Sequence, residues 1–314
     1  MHYETSLHAR QALIGSLLVL AASVTVSSKA IMVKLAYAYG VDAETLLALR
    51  MAFSMPFFAG LALWAHWAKP RPAVTAHDAW AIFVLGVLGG YAPMWFDFAG
   101  LAYVSAGLER IILFLYPTMV VLISAVLFKR RIGRREVFAL AASYVGVGLA
   151  VGHDLTVLKS GMGDTLLGAL LVAISALIYA AYLVYSGRLL PRIGTARFTA
   201  YTMLTAGVAS GVHFAVTPHR IAVTQLPMPV YELALLMAVV ATVLPAVMLN
   251  AGIHRLGSSR ASLVSSVGPV STILLASVFL GEAITAMQLL GTALVLLGVL
   301  VISIYKADAA AIAR

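Results

Sequence analysis

Apolar residues run in long blocks along this chain, and the polar ones collect in short gaps between them. A window of about 19 residues resolves the first half into candidate membrane spans near 12–36, 44–66, 79–102, 106–128 and 136–152. The second half yields 164–188, 197–216, 231–253, 261–280 and 286–305. Blocks of this length cross a hydrocarbon core of about 30 Å as helices rising about 1.5 Å per residue. Lipid offers the backbone no hydrogen-bond partner, so a helix that satisfies its own N–H and C=O groups is the element this pattern predicts. The expected fold is all-α: a polytopic membrane protein of ten transmembrane helices. The longest polar connection, Thr217 to Val230, holds Pro218, Pro227 and Pro229 and is predicted as a loop, since proline removes a helical donor and clashes with the preceding turn. The first block starts weakly basic at Arg10, like a signal peptide, but runs on toward Tyr39 with Lys29 and Lys34 inside it, and reads as the first span.

Sliding the chain on itself by 152 positions exposes a repeat. Pro93 meets Pro245, Ala99-Gly100 meets Ala251-Gly252, Pro117 meets Pro269, and Gly146-Val147 meets Gly298-Val299. Shared apolar residues alone would carry little weight; two pairs of aligned prolines inside spans carry more. The predicted domains are a first five-helix repeat over 1–153 and a second over 164–306. An odd number of spans per half forces the second half to enter the membrane inverted. Inverted repeats are a transporter signature, with the substrate site near the midplane between the halves. The aligned prolines Pro93, Pro117, Pro245 and Pro269 are candidate kink or gating positions, or simply packing features, because proline interrupts a helix where neighbours or a cavity can satisfy the freed carbonyls.

Composition agrees with lipid as the main solvent. Hydrophobic residues make up 62% of the 314 and only 11% are charged, whereas a soluble domain carries about a quarter charged residues. The net charge of +9 does not point to nucleic acid, because the basic residues sit in short clusters between apolar runs, as in Lys129-Arg130-Arg131 with Arg134-Arg135. With the N-terminus inside, the cytoplasmic segments collect nearly all lysine and arginine outside the spans, while the opposite loops hold only Lys159 and Arg220. That bias predicts both termini in the cytoplasm of a plasma membrane, the bacterial inner membrane. One departure from the repeat supports the inversion: Lys129-Arg130 aligns with Gly281-Glu282, positive where the segment faces the cytoplasm and negative where its twin faces out. The chain has no cysteine, which excludes disulfides and a thiolate nucleophile.

Charges within spans are functional candidates, because a charge at the bilayer centre costs about 2.5–3.5 kcal/mol on insertion scales. Lys29, Arg50, Asp97, Glu109 and Arg110 all fall in the first half, toward its outer side. In a functional arrangement the cations line a vestibule and bind a carboxylate or phosphate, Asp97 or Glu109 neutralises them when it is empty, and either acid carries a coupling proton. In a structural arrangement they are ion pairs and snorkelling side chains, with Arg110 at the interface. A short carboxylate cannot snorkel far, which favours a functional role for Asp97. Tyr91 and Trp95, four apart on the third span, share a face and suit an apolar or aromatic solute. Asn250, in the eighth span, contacts substrate or bridges helices. Tyr182 and Tyr185 are expected in an inner interface belt, and His213 near the surface.

Several of these features resemble the drug/metabolite transporter superfamily and, within it, the EamA-type transporters, over nearly the whole chain. The resemblance rests on the five-plus-five plan and on Lys34 before a Gly-Val-Asp turn at 40–42, then Leu-Ala-Leu-Arg at 47–50. It also rests on the proline-containing fourth and ninth spans and on Phe279-Leu280-Gly281-Glu282 with Gln288 and Gly291. The first half has Lys129-Arg130 where the second has Gly-Glu. The resemblance implies a helical bundle, alternating access and export of metabolites or amino-acid-like solutes; it names no substrate.

An intramembrane enzyme is the rival from another class, but no His-Glu-x-x-His or Gly-x-Ser-x-Gly motif occurs. His77-Asp78 and His153-Asp154 fall near loops and are expected to be solvated pairs. A channel is the other rival. The expectation is a carrier with no catalytic residues, no cofactor and no metal, whose partners are a small-molecule solute, the lipid bilayer and a coupling proton.

Overall fold

A computed structural model describes residues 2–68, 74–129, 131–157, 161–219, 221–256 and 258–312. Lys69, Arg71, Arg130, Lys159, Arg220 and Arg314, which belong to the loop charges behind the expected orientation, lie outside the described residues. The chain is all-helical among the described residues. Its helices are α1 (His2–Tyr37), α2 (Ala43–Ala68), α3 (Ala76–Leu85), α4 (Ala92–Leu101), α5 (Ala106–Leu113), α6 (Tyr116–Leu127) and α7 (Arg134–Val157). The second half follows with α8 (Met162–Ile193), α9 (Thr195–Val216), α10 (Met228–Ala238), α11 (Leu244–Leu256), α12 (Ser258–Ser265), α13 (Gly268–Leu280) and α14 (Ala286–Ile312). Some join end to end, and 8 resulting helices are long and apolar enough to cross a membrane. The expected count of ten spans rests on two more: the shorter apolar helix Ala286–Ile302 and the 22-residue α9.

The repeat is visible in where helices depart from regularity. A π-helical stretch, Gly86–Tyr91, joins α3 to α4 just before Pro93, and another, Val239–Val243, joins α10 to α11 just before Pro245. Proline has no N–H and its ring crowds the carbonyl one turn back, so a widened turn absorbs the mismatch without breaking the rod. The second proline pair has a stronger effect. α5 stops at Leu113 and α6 starts at Tyr116 beside Pro117, while α12 stops at Ser265 and α13 starts at Gly268 beside Pro269. The fourth and ninth spans are therefore each two half-helices meeting inside the bundle, the form that transporter sites use.

Counterpart helices run antiparallel. Gly146 of α7 lies against Gly291 of α14, and Gly298 lies against Ala139 and Ser143. α2 and α9 behave alike: Arg197 donates to the carbonyls of Ala65 and His66 at 3.2 Å, Met55 covers Gly207, and Thr45 Oγ1 sits 3.2 Å from His219 Nδ1. The crossings repeat atom for atom. A Cβ on Gly100 of α4 would sit 2.6 Å from Val172 Cγ2 and 3.0 Å from the Gly168 carbonyl of α8. A Cβ on Gly252 of α11 would meet the corresponding atoms of Val19 and Gly15 on α1. Glycine lets these backbones approach, and close packing replaces the hydrophobic drive that lipid removes.

Of the five apolar clusters among the described residues, two are the largest. One gathers Leu46, Leu47, Met51, Phe98 and Met237; the other gathers Leu108, Ile111, Ile112, Val172, Ile273 and Val295. The in-membrane charges lie at the seam between them.

Candidate functional site

The site begins with how α5 is held. Ser105 caps it, its Oγ accepting the Leu108 N–H at 3.0 Å. Asp154 in turn accepts from Ser105 N and Oγ, both at 2.7 Å. From the other half, Glu282 accepts the N–H groups of Ala106 at 2.9 Å and Gly107 at 3.3 Å. Gly281 makes this reach possible, because it ends α13 with φ +68°, a conformation that favours glycine. Carboxylates suit a helix N-terminus, where unpaired N–H groups carry partial positive charge. Burial nevertheless holds the Glu282 carboxyl above the usual carboxylate range, with Asp154 pushing the same way, against the pull of those two N–H groups and of Lys34.

So positioned, α5 presents Glu109 and Arg110 to the seam. Lys29 of α1 pairs with Asp97 of α4 and with Glu109, the latter at 2.9 Å. Asp97 and Glu109 are buried, and each has one oxygen without a hydrogen-bond partner, Asp97 Oδ1 and Glu109 Oε2. Arg50 of α2 crosses to the second half: Nε and Nη2 donate to Thr242 Oγ1 at 3.2 and 2.9 Å, and the guanidinium lies 5.5 Å from the centre of the Phe98 ring. Thr242 sits in the second π-helical stretch, so Arg50 ties the two halves at a proline-induced irregularity. Arg110 lies over Phe114 at 5.3 Å and against Gly268, with its Nε buried and unpartnered. Among the described residues it makes no ion pair.

The predicted residues thus separate into two groups. Lys29, Arg50, Asp97, Glu109 and Arg110 share the seam. Arg110, expected at the interface, has its Nε buried and lies against Phe114 and Gly268 beside the half-helix break. Tyr91 and Trp95 lie apart: Tyr91 bonds His213, and Trp95 Nε1 donates to Glu44 Oε1 at 2.9 Å. They line an apolar groove of about 760 Å³ with Phe83, Val208 and Val212, whose exposed side chains face the bundle exterior. His213, expected near the surface, is held there by Tyr91 and by an edge contact with Trp95. The Asn250 side chain lies outside the described residues. Pro93 is buried, with its carbonyl accepting from Ser175 Oγ at 2.7 Å, and Pro245 and Pro269 are buried too.

The histidine–aspartate pairs depart from their expected solvation at every residue but His77, which is exposed. Asp78 is buried, forming a capping box with Thr75 and pairing with Arg192 at 2.5 Å. His153 and Asp154 are buried because Asp154 serves Ser105. Sequence reasoning also missed Thr242, Ser105 and the capping role of Glu282. The serine before an apolar run was a usable N-cap signal; nothing local marked the other two.

The EamA-like transporter family matches this chain twice, over residues 13–152 and 166–304. The Bacillus subtilis (strain 168) protein YcbK, described as an uncharacterized transporter, is 32% identical over 299 residues, 93% of each chain. A second protein of that organism, the uncharacterized transporter YyaM, is 27% identical over 72% of this chain and 73% of its own. A solved crystal structure aligns with a TM-score of 0.62 over 91% of this chain and 95% of its own, at 19% identity, a likeness of fold. With both halves matched and a relative this similar along nearly its full length, the chain belongs to the EamA-like transporter family and is a multi-pass membrane transporter.

Proposed function

We propose that the protein is a secondary carrier of ten spans, with inverted halves at 1–153 and 164–306 and both termini in the cytoplasm of a bacterial inner membrane. It exports a small polar metabolite or amino acid by alternating access and is not an enzyme. The observation that carries this reading is the ionic seam: Lys29 bridging Asp97 and Glu109 at the junction of two half-helices, with Arg50 reaching across to Thr242. Ions buried in lipid are costly, and Arg110, which makes no ion pair among the described residues, leaves a cation for an anionic group of the solute. The free oxygens Asp97 Oδ1 and Glu109 Oε2 suit either acid to a coupling proton. The residues hold and release; nothing in the seam has the nucleophile–base geometry of an enzyme among the described residues.

The prolines fit the same reading. Each irregular segment is a place where a span can bend without losing its whole hydrogen-bond ladder, and Pro93, Pro117, Pro245 and Pro269 put one in each moving pair. Glu282 closes the outer end of the seam across the two halves. Its counterpart in the first half is Lys129-Arg130, cations that cannot cap a helix N-terminus.

Counterflow in proteoliposomes tests the proposal. A carrier exchanges labelled for unlabelled solute with saturation; flux without saturation or exchange indicates a pore. Asp97→Asn in correctly inserted protein is expected to lower the transport rate and flatten its dependence on pH. An unchanged rate and profile would assign Asp97 a purely structural role.

A further inference from the structure

A row of aromatic rings leads away from Arg110 on the side opposite Glu282. Phe114 and Tyr116 lie 6.4 Å apart between centroids, Tyr116 and Tyr179 5.5 Å, Tyr179 and Tyr182 6.0 Å, and Tyr182 and Phe198 6.1 Å. The last two contacts are stacked, and the row ends at Phe198 near the α8–α9 connection. Tyr182 is part of this row.

Tyr179 shows that the row borders open space. It sits in the middle of the buried stripe of α8, with Val172, Ser175, Ala176 and Ser186 on the same helical face, each at most 2% exposed. Tyr179 itself is 38% exposed. A residue on the protein-facing stripe gains that exposure only if no neighbour fills the space before it. The repeat sharpens the contrast, because Tyr179 corresponds to Ser27 and Tyr116 to Gly268. In the outer half Ser27 Oγ donates to the Gly268 carbonyl at 2.9 Å and the two segments are closed on each other. At the equivalent inner place no such hydrogen bond forms: Tyr116 and Tyr179 meet edge to face, beside Leu115 and Met119 packed on Ala176 and Ala180.

We propose that Arg110, Tyr116 and Tyr179 form a cytoplasm-facing binding site whose solute is a small aromatic carboxylate, taken up with its acid at Arg110 and its ring against the tyrosines. Arg110 has its Nε buried and no acceptor among the described residues; a carboxylate supplies one with matching planar geometry. The ring faces of Tyr116 and Tyr179 offer edge and stacked contacts to a flat apolar group. Neither phenol makes a hydrogen bond among the described residues, which leaves both for a polar substituent of the solute. This inference rests on the carrier reading and narrows its solute.

The test is calorimetric titration of the full-length protein in lipid nanodiscs with three probes: hydrocinnamate, cyclohexanepropionate and phenethylamine. Hydrocinnamate is expected to bind at least about tenfold more tightly than phenethylamine, the scale of a charge-assisted hydrogen bond. It should exceed cyclohexanepropionate by roughly three- to tenfold, the scale of a ring–ring preference. Tyr179→Leu should abolish the second preference, and Arg110→Gln should weaken both carboxylates. Equal binding of the two carboxylates to the unmodified protein would make the ring row mere packing and overturn the proposal. So would absent binding of all three. If counterflow of another polar solute still saturates, the carrier reading stands while this inference falls. If the expected preferences appear but flux does not saturate, the site stands and the carrier reading falls.

Discussion

Removing the Lys29 ammonium is the sharpest test of the seam. In Lys29→Met, Asp97 and Glu109 lose the cation between them, and their side chains are only 6% and 0% exposed. Two unit charges about 5 Å apart repel by roughly 3 kcal/mol at an effective dielectric of about 20. The lost attractions are larger in gross terms but are offset by the desolvation Lys29 no longer suffers. Breaking one partner out of a buried ion pair costs about 3–5 kcal/mol in total, and that is the expected loss. Asp97→Asn alone leaves the Lys29–Glu109 pair and should cost less, about 1–2 kcal/mol. The double variant Lys29→Met/Asp97→Asn should recover most of the loss, because one buried acid is left with a neutral neighbour. Reversible unfolding in mixed micelles, followed by circular dichroism, reads all four corners of the cycle. A coupling of at least about 2 kcal/mol is expected. If the two substitutions add to within about 0.5 kcal/mol, Lys29 does not bridge the acids and the account of the seam is wrong.

Two further outcomes follow from packing and capping. Gly100→Ala and Gly252→Ala should destabilise by similar amounts, about 1–3 kcal/mol each, since a Cβ at either position strikes the same atoms of the facing helix. Gly60→Ala, where nothing lies within 4 Å, should be neutral or slightly stabilising in the same assay; unequal effects at the paired glycines would refute the matched crossings. Glu282 predicts a pH dependence. Its carboxyl sits above the usual carboxylate range when seated on α5, so seating takes up a proton; the seated state is favoured in acid and loses that advantage as pH rises through the raised value. The chain has no cysteine, so Ala106→Cys, at a buried position, reports unseating through an impermeant thiol reagent. Labelling relative to an exposed control, Tyr39→Cys, should quicken as pH rises above the ordinary carboxylate range, and Glu282→Gln should flatten the profile. A flat ratio in the chain that keeps Glu282 would rule out this linkage.

Hydropathy and proline placement were enough to establish an all-helical membrane protein with a twofold repeat, because both act locally. A long apolar block in lipid must satisfy its own backbone, and a proline disturbs its helix wherever it falls. The irregular turns before Pro93 and Pro245, and the breaks beside Pro117 and Pro269, stand where the aligned prolines put them. Side-chain partnership was another matter. The residues that Lys29 joins are 68 and 80 positions away, and Glu282 caps a helix 176 positions earlier. The tertiary structure alone decided that Asp154 is buried, that Arg110 lacks a counter-ion among the described residues, and that Tyr179 faces open space on an otherwise packed stripe. These depend on how far apart helices stand and which faces meet, quantities set by the sum of all contacts and carried by no single stretch of sequence.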